Sequence, residues 1–373
     1  MPGVPHIYFA VTNDLTYDRR MHRICGSLQA AGFRITLVGR RLSSSAPIEP
    51  GPYKQIRLHC LFSKGKFFYL EFNIRMFFFL LFRRMDAICA IDLDAIIPCY
   101  LVSLVRRIPR VYDAHELFCE MKEVSERPAI YKVWKWIEKK IVPRFPHGYT
   151  VNHLIAQEYK DMYGLDYAVI RNMPPASPLN SGAVHERFIL YQGAVNEGRC
   201  FEQLIPAMKY VDAGLIICGD GNFMEQAKDL VKKHKLERKV TFRGMVSPAQ
   251  LAGITRKARI GITLFEKQSK SNYYSLANRF FDYIQAGVPQ LCVDYPLYRE
   301  IQQRHEIGIL IPDVSEEAIV QSLKSLLQDE ALWLRLHHNC LEASREFNWQ
   351  REEKKLIDFY GNIFGKASAH HQS

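Results

Sequence analysis

The sequence predicts an α/β protein with two doubly wound parallel-sheet domains in series. Short apolar runs alternate with segments of helical periodicity along the chain, a pattern typical of βαβ units. A stretch rich in proline and small polar residues, 172–182, interrupts the alternation near the middle. With 373 residues, the chain is long enough for two domains of ordinary size. We therefore expect an N-terminal domain over 1–172 and a C-terminal domain over 173–349, with the proline-rich stretch as the linker.

The N-terminal half is expected to form five strands that are separated by helical segments. These strands are predicted near 6–11, 34–38, 87–91, 110–112 and 148–151. The first connecting helix runs from Arg19 to Ala31 and ends at Gly32, because glycine favours the backbone conformation that closes a helix.

The C-terminal half repeats the same alternation. Its strands are predicted near 187–192, 214–218, 239–242, 259–264 and 290–293. Its helices are predicted near 200–209, 223–233, 248–256, 276–286, 315–328 and 330–345, and a last helical segment follows over 350–364. Two doubly wound domains in series bring their ligand-binding edges to one cleft, so a ligand is expected between them.

The composition is that of a globular protein in a reducing compartment. Hydrophobic residues make up 48% of the chain and charged residues 24%. The nine cysteines form no Cys-x-x-Cys pair, so neither a zinc site nor a disulfide framework is expected. A strand begins at His6, without the basic and apolar regions of a signal peptide. We expect a cytoplasmic protein.

The positive charge is concentrated in the N-terminal half. Residues 1–172 contain 25 Lys and Arg against 16 Asp and Glu, whereas residues 173–373 contain 25 against 23. The basic half includes the aromatic run 67–82, which is too short to cross a bilayer as a helix and is flanked by lysines and arginines. This pattern predicts either an interfacial helix on the anionic inner face of the cytoplasmic membrane or a buried helix with a solvated basic end. No recognition motif supports nucleic acid as a partner.

The segment 271–289 carries the most informative pattern in the chain. A polar loop leads into a helix that ends in Ala-Gly-Val-Pro, and Asp282 lies one turn after Asn278 and Arg279. The free N–H groups at the start of a helix suit an anion, and a carboxylate further along accepts hydrogen bonds from hydroxyl groups. Phosphate at one end and sugar hydroxyls at the other describe a nucleotide-sugar. The alternative interpretation is an amphipathic helix that serves only as scaffold.

This segment resembles the donor-binding helix of the GT-B glycosyltransferases, above all those of family 4. Asp282 lies where that family usually has a glutamate, and Tyr274 occupies the place of the family's earlier glutamate. The run 275–283 is similar to the S-L-P-N-K-x-F-E-Y variant of one bacterial branch. The resemblance implies two Rossmann-like domains that face each other across a cleft, with a C-terminal helix, 350–366, that crosses back to the N-terminal domain. It also implies that the C-terminal domain binds the nucleotide-sugar and the N-terminal domain binds the acceptor.

The resemblance further implies the donor-side residues. Arg199 matches one member of the family's basic pair, Ala194 occupies the place of the other, and Arg279 is a substitute for the missing cation. The turn 219–222 is similar to the family's G-x-G turn, and the run 240–246 is similar to V-x-F-x-G-x-V, which borders the nucleotide base. The donor-binding residues expected on this basis are Gly193, Arg199, Gly219, Gly221, Arg243, Gly244, Met245, Val246, Tyr274, Ser275, Leu276, Ala277, Arg279 and Asp282. Arg199 and the amides of 275–277 are expected to stabilise the diphosphate, and Asp282 is expected to hold the ribose.

The N-terminal half carries polar residues just after two of its predicted strands. Asp14 and Arg19 follow the first strand, and His115 and Glu116 follow the fourth. The carboxyl ends of parallel strands form the usual ligand edge. Within the resembled family a histidine in this region contacts the sugar or the acceptor. His115 is therefore expected to be catalytic together with Arg199 and Asp282, with Asp14, Arg19 and Glu116 on the acceptor side; a helix cap is the alternative for this Asp-x-His-Glu run.

A metal site is not expected. Asp92 and Asp94 imitate the D-x-D motif of other glycosyltransferases, but they lie in the half that is not expected to hold the donor. No other cluster of carboxylates or histidines has metal-ligand spacing.

The resemblance implies a retaining, metal-independent glycosyltransferase of cell-envelope polysaccharide synthesis. It would move a sugar from a nucleotide-sugar, with UDP favoured over GDP, to a glycan or lipid-linked acceptor, and it would require no cofactor. Two alternatives stay open. One is a nucleotide-sugar 2-epimerase of the same fold, and the other is a noncatalytic relative that binds a membrane or a partner, since Ala194, Tyr274 and Asp282 all depart from the family pattern.

Overall fold

The computed structural model describes residues 3–16, 18–43, 45–177, 185–267 and 270–365. It divides the chain into two compact units. Unit 1 comprises Met1–Asn172 and Glu352–Ser373, and unit 2 comprises Met173–Arg351. The predicted linker lies outside the described residues from 178 onward, as does the last residue of the predicted returning helix, 366.

Unit 1 is built on a parallel sheet that is covered by helices. Its strands are β1 (His6–Ala10), β2 (Arg34–Arg41), β3 (Lys54–His59), β4 (Ala87–Ile91), β5 (Arg110–Ala114), β6 (His147–Thr150) and β7 (Ala168–Val169). Its α-helices up to residue 172 are α1 (Arg19–Ala30), α2 (Gly65–Leu81), α3 (Ile96–Arg106), α4 (Lys122–Ser125), α5 (Pro128–Ile141) and α6 (His153–Tyr163). Short 3₁₀ turns occupy Leu93–Ala95, Phe118–Glu120 and Val142–Arg144.

Unit 2 has the same kind of architecture. Its strands are β8 (Phe188–Gln192), β9 (Gly214–Cys218), β10 (Val240–Gly244), β11 (Ile260–Thr263), β12 (Gln290–Val293) and β13 (Gly308–Ile311). Its helices are α7 (Phe201–Ala207), α8 (Met224–Lys233), α9 (Pro248–Lys257), α10 (Lys270–Tyr273), α11 (Asn278–Gln285), α12 (Pro296–His305), α13 (Glu316–Gln328) and α14 (Glu330–Ser344), with a 3₁₀ turn at Met208–Tyr210. The last helix, α15 (Trp349–Ile363), begins in this unit.

The strand orders confirm the predicted fold class. Within the described part of the chain, the sheet of unit 1 has the order β3-β2-β1-β4-β5-β6-β7, and that of unit 2 has the order β10-β9-β8-β11-β12-β13. All the pairings in both sheets are parallel. Each order reverses once, between β1 and β4 in unit 1 and between β8 and β11 in unit 2. Loops that leave the sheet at such a reversal diverge to opposite faces and leave a crevice between them.

The C-terminal helix belongs to unit 1 from Glu352 onward, as the returning helix was predicted to do. Leu356 and Tyr360 are fully buried, and the Tyr360 ring lies 5.9 Å from Phe9 and 6.3 Å from Tyr149, centroid to centroid. The buried Glu352 carboxylate accepts the backbone N–H of Arg171 at 2.9 Å. The helix therefore completes the core of unit 1.

Helix α2 forms over the aromatic run and is apolar on two opposite faces. One face is buried through Phe68, Phe72, Met76 and Leu80. The other face exposes the stripe Phe67, Leu70, Ile74 and Phe78, whose exposed fractions are 54%, 60%, 48% and 55%. Of the described helices, none combines the length and the apolar character that crossing a bilayer requires.

Three loops at the carboxyl edge of the unit 2 sheet are tied together through glycine backbone. The Gly193 N–H donates to Cys218 O at 2.9 Å, and the Gly219 N–H donates to Gly244 O at 2.8 Å. Gly219 has φ +147°, and a Cβ there would lie 1.8 Å from Gly193 O. Only glycine permits this approach.

We expect Gly219→Ala to lower the free energy of unfolding of unit 2 by about 2 kcal/mol or more, because the added methyl group collides with backbone in a conformation that L-residues avoid. Gly253→Ala is the matched control. A Cβ there meets nothing within 4 Å, and the residue lies inside α9, so alanine is expected to raise stability by about 0.5–1 kcal/mol. Calorimetric melting of both variants checks this, and equal melting temperatures would contradict it.

Candidate functional site

The most developed site in unit 2 lies where the strand order reverses. The loop 193–200 follows β8, and a segment that follows β11 and contains α10 leads into α11. These loops contain Arg199 and the polar segment that the sequence singled out, and α11 carries Arg279 in its first turn and Asp282 one turn later. The structure therefore brings these predicted donor-side residues to one edge of one sheet.

Arg279 is a buried cation without a carboxylate partner among the residues that the structure describes. Its side chain is only 7% exposed, and its guanidinium carbon lies 4.6 Å from the ring centroids of both Tyr191 and Phe265. Nη1 donates to the Tyr191 hydroxyl at 3.3 Å, while the buried Nε has no hydrogen-bond partner. No Asp or Glu among the described residues forms an ion pair with it. A charge in this situation is normally compensated, so the geometry is that of a site for an anion.

Arg199 approaches the same aromatic ring. Its guanidinium carbon lies 4.5 Å from the Phe265 ring centroid, so that one phenyl ring supports two guanidinium groups. Glu266 follows Phe265, and its backbone N–H donates to Gly198 O at 3.0 Å, which joins the two loops. Burial, and then the nearby Glu266 carboxylate, raise the pKa of the Cys200 thiol to about 12, so this cysteine stays protonated.

Asp282 is held by a chain of buried polar side chains. Gln192 donates from Nε2 to Asp282 Oδ2 at 2.9 Å, and Thr255 donates from its hydroxyl to Gln192 Oε1 at 2.7 Å. Gln192 and Thr255 are buried, whereas Asp282 is partly exposed. The amide fixes the orientation of the carboxylate, which suits a carboxylate that must meet ligand hydroxyls in a fixed geometry.

The backbone amides before α11 differ from the prediction. The Ser275 N–H donates to Asn272 O at 3.1 Å, and the Ala277 N–H donates to the Tyr298 hydroxyl at 3.0 Å. The Tyr274 N–H likewise donates to Lys270 O at 3.0 Å. Of the three amides predicted to bind the diphosphate, only that of Leu276 has no acceptor among the described residues. A tight turn that satisfies its own amides is invisible in the sequence pattern, so the guanidinium groups must carry the greater part of any anion binding here.

The Gly-x-Gly turn has a packing role. A Cβ on Gly221 would lie 2.2 Å from Asn196 Oδ1 and 2.4 Å from Val195 O. Asn196 Oδ1 also accepts the Asn222 N–H at 3.1 Å, so the turn and the loop after β8 interlock. The glycines allow this close approach of two loops, and contact with a ligand remains a prediction for them.

The predicted base-pocket residues lie at the same edge of unit 2. Gly244 ends β10 with φ +61°, and its carbonyl is the acceptor for the Gly219 N–H. Arg243 is exposed, Met245 is 66% exposed, and Val246 is partly buried against a small apolar cluster. An exposed methionine beside an exposed arginine suits stacking on a planar base, and this role stays a prediction.

In unit 1, the residues predicted on the acceptor side lie in different environments. Both carboxylate oxygens of Asp14 accept hydrogen bonds from nearby residues, one from the Thr16 N–H and the other from the Ser45 hydroxyl. Burial opposes ionisation of Asp14, but these hydrogen bonds outweigh it and lower its pKa. Arg19 is exposed in the first turn of α1. Asp14 thus anchors its own loop, and its role on the acceptor side stays a prediction.

His115 forms a pair that the sequence did not predict. Its Nε2 lies 3.2 Å from Asp92 Oδ2, across the neighbouring strands β4 and β5. Behind it, the buried Arg20 donates two hydrogen bonds to Asp113. Glu116 is partly exposed beside the histidine. Three carboxylates and one buried arginine therefore surround this imidazole.

The Asp92 and Asp94 pair does not form a metal site with other residues that the structure describes. Asp94 accepts a hydrogen bond from the Thr12 hydroxyl, and burial raises its pKa to about 6. In the described ranges, no group of three or more His, Cys, Asp or Glu side chains is arranged to hold a metal ion. The nine cysteines are all free thiols.

Several of these residues escaped the sequence analysis. Gln192 and Thr255 are buried polar residues in apolar surroundings, and a glutamine at the end of an apolar strand was the available signal for the first. Glu266 follows a strand at the reversal point, where polar residues commonly serve ligands. The pairing of Asp92 with His115 depends on the order of the strands and has no local sequence signal.

Comparisons with known proteins agree with this geometry. Residues 180–347 match the family model described as Glycosyl transferases group 1. No curated protein matches the sequence significantly. Residues 180–347 thus contain a glycosyl transferases group 1 domain.

Solved structures share the fold over nearly the whole chain. Sucrose-phosphate synthase from Thermosynechococcus elongatus has 17% identity and a TM-score of 0.76, over 97% of this chain and 100% of that one. Alr3699/HepE of Anabaena, in complex with UDP-glucose, has 12% identity and a TM-score of 0.73, over 96% and 99%. WaaG, a glycosyltransferase involved in lipopolysaccharide biosynthesis, has 14% identity and a TM-score of 0.69, over 94% and 98%. The fold is that of the GT-B glycosyltransferases.

Because Arg279 is buried without a counter-ion, Arg279→Met should leave the free energy of unfolding unchanged or raise it by about 1 kcal/mol, since methionine keeps the apolar contacts without the buried charge. If Arg279 served only the fold, its removal would lower the free energy of unfolding by about 3 kcal/mol. Urea unfolding of the unliganded protein distinguishes the two cases. Arg187→Met, at an exposed ion pair of the same unit, is the control and should change stability by less than about 1 kcal/mol.

Proposed function

We propose that the protein transfers a sugar from a nucleotide-sugar, with UDP as the carrier, to a glycan or lipid-linked acceptor in cell-envelope polysaccharide synthesis. The anomeric configuration is retained, and no metal is required. Unit 2 binds the donor and unit 1 binds the acceptor. The buried, uncompensated Arg279 is the observation that carries this proposal.

The two arginines bind the diphosphate of the donor. As the glycosidic bond to phosphate breaks, negative charge grows on the leaving diphosphate, and fixed cations in a site of low polarity stabilise it. Arg279 is held on Tyr191 and Phe265, so its position is set before the ligand arrives. Arg199 supplies the second guanidinium from the loop after β8. With two organic cations in place, the leaving group is neutralised without a divalent ion.

The nucleoside is bound further along the same edge. Asp282, oriented by Gln192, accepts the hydrogen bonds of the ribose hydroxyls. Arg243 and Met245 border the base. That Alr3699/HepE of Anabaena has been solved with UDP-glucose and with UDP supports UDP as the carrier in this chain.

The acceptor binds at the carboxyl edge of the unit 1 sheet, where His115 provides the polar contact to the reacting sugar. Attack from the same face as the leaving group needs no protein nucleophile, and the proton of the acceptor hydroxyl then goes to a leaving diphosphate oxygen. Retention follows from that geometry.

Unit 1 also carries the surface that places the enzyme on the inner face of the cytoplasmic membrane. The exposed stripe of α2 is accompanied by Leu101, Leu104 and Val105 of the adjoining helix α3, all exposed. Basic residues flank the stripe at both ends of the helix, and all of them are exposed: Lys64, Lys66, Arg83 and Arg84. A helix of 17 residues lying flat, about 25 Å long, would bury this stripe among acyl chains while its basic ends contact anionic headgroups. Such a surface suits an enzyme with a lipid-linked acceptor.

Donor binding is tested by melting the protein with UDP, GDP, TDP and their sugar conjugates in the presence of EDTA. UDP and UDP-sugars are expected to raise the melting temperature most. Arg279→Met and Asp282→Asn should each weaken UDP binding tenfold or more, because each removes charge-assisted hydrogen bonds of about 1.5–3 kcal/mol. Arg187→Met should bind as the wild type does. If no nucleotide shifts the melting temperature of the wild type, the proposed function is wrong.

Membrane binding is tested by sedimentation with vesicles of phosphatidylglycerol and phosphatidylcholine. The wild type should sediment at low salt, and Leu70→Ser/Ile74→Ser/Phe78→Ser should bind at least about tenfold more weakly, since apolar burial provides much of the affinity. Arg83→Ser/Arg84→Ser should lose about tenfold at low salt and little at high salt. Leu334→Ser is the control, because Leu334 is 53% exposed but lies in unit 2. Absence of the wild type from the vesicle pellet would rule out this surface.

A further inference from the structure

We propose that Asp92 is a positioning residue for His115, which it holds as an imidazolium cation, so that the histidine acts as a charged hydrogen-bond donor toward a substrate oxygen at the edge of unit 1. This role rests on the proposed function, because it concerns the same reacting centre. Asp92 itself touches no substrate in this proposal. It acts only through the imidazole.

The sheet brings the two residues together. Asp92 comes directly after β4 and His115 directly after β5, and these strands are neighbours with Ile91 opposite Asp113. The Asp92 N–H donates to Asp113 O at 3.0 Å, which continues the pairing one residue beyond β4. The carboxylate then faces His115 Nε2 at 3.2 Å. An N–H donated from this nitrogen to the carboxylate fixes the plane of the ring.

Two polar atoms of this pair are buried without a hydrogen-bond partner in the part of the chain that the structure describes. They are Asp92 Oδ1 and His115 Nδ1. The neighbouring Arg20 and Asp113, by contrast, are joined by two hydrogen bonds. Since more than nine in ten buried polar groups have a partner, two orphans in one contact indicate a place that is completed by something other than the chain itself. The side chain of His115 is 30% exposed, so part of the ring lies at the surface of the protein, while Nδ1 itself is buried.

Asp92 also occupies a backbone conformation that is suited to glycine. Its φ is 57° and its ψ is 175°, a region that L-residues avoid. For the backbone alone, glycine would be the better residue here. An acidic residue in such a conformation, with one carboxylate oxygen buried, lowers the stability of the fold, so its presence points to a task at this position.

The surrounding charges favour a protonated histidine. The groups that face His115 are Asp92 on the β4 loop, Asp113 and Glu116 on and after β5, and Arg20 on α1. Burial lowers the pKa of His115, but the three carboxylates outweigh both burial and Arg20, and its pKa lies above the ordinary 6.5. Burial also raises the pKa of Asp92. The pair therefore retains a shared proton near neutral pH.

The first test measures the histidine directly and needs no substrate. Protein with isotopically labelled histidine is titrated by NMR, and the His115 ring signal among the 13 histidines is assigned with His115→Gln. We expect a midpoint above 6.5 in the wild type and a lower midpoint in Asp92→Asn, because the variant lacks the carboxylate that raises the pKa of His115 most. Asp86→Asn, at an exposed carboxylate that accepts the His6 N–H, should leave the midpoint unchanged. A midpoint that Asp92→Asn does not move overturns the proposal.

The second test separates positioning from a purely structural role. Asp92→Gly should raise the melting temperature, because it removes both the backbone strain and the buried, unpaired Oδ1, and it should lower kcat at least tenfold. Asp92→Asn should shift the alkaline limb of the kcat profile to lower pH. If Asp92 had a purely structural role, its replacement by glycine would instead lower the melting temperature. If the wild type turns over no nucleotide-sugar, the proposed function fails, whereas the NMR midpoints still decide whether Asp92 controls the charge of His115.

Discussion

The reversal of strand order in each parallel sheet is the constraint on which the rest of the structure depends. Every strand in such a sheet delivers its carboxyl end to the same edge, and the loops spread apart only where the order reverses. In unit 2 the reversal lies between β8 and β11, and it positions both Arg199 and the segment before α11. In unit 1 it lies between β1 and β4, beside Asp92. The buried Arg279 of unit 2 and the strained Asp92 of unit 1 both lie next to these reversals.

The two units differ in how a buried arginine is surrounded. In unit 1, Arg20 and Asp113 compensate each other completely, so they stabilise the end of β5 and offer nothing to a ligand. In unit 2, Arg279 has aromatic rings where a carboxylate would be expected. Its N–H groups donate to neutral acceptors, the Tyr191 hydroxyl and Leu264 O, so its positive charge is not cancelled as it would be by a carboxylate. The same residue type therefore serves the fold in one unit and suits a ligand in the other.

Local patterns in the sequence were sufficient for most of the fold and for part of the site. Apolar runs predicted ten of the thirteen described strands, but β3, β7 and β13 were missed, since β3 is polar and half-buried, β7 has two residues and β13 has four. Arg279 and Asp282 were predictable because they lie in one continuous motif. Contacts that depend on strand order were not, as between Gln192 and Asp282, which are 90 residues apart in sequence. Nor were the amides of Ser275 and Ala277, whose acceptors are set by the turn geometry and by α12.

The return of α15 to unit 1 affects how the chain can fold during synthesis. Leu356 and Tyr360 fill the centre of unit 1, yet they follow the whole of unit 2 in the sequence. The N-terminal half thus leaves the ribosome with an incomplete core and an exposed apolar helix, α2, and it must wait for about 180 further residues to be translated, at roughly 5–20 residues per second. Unit 2 is continuous in sequence and needs no such delay. Unit 1 is therefore the last part of the nascent protein to complete its core. Chaperones or an early membrane contact would act on its N-terminal half during this delay.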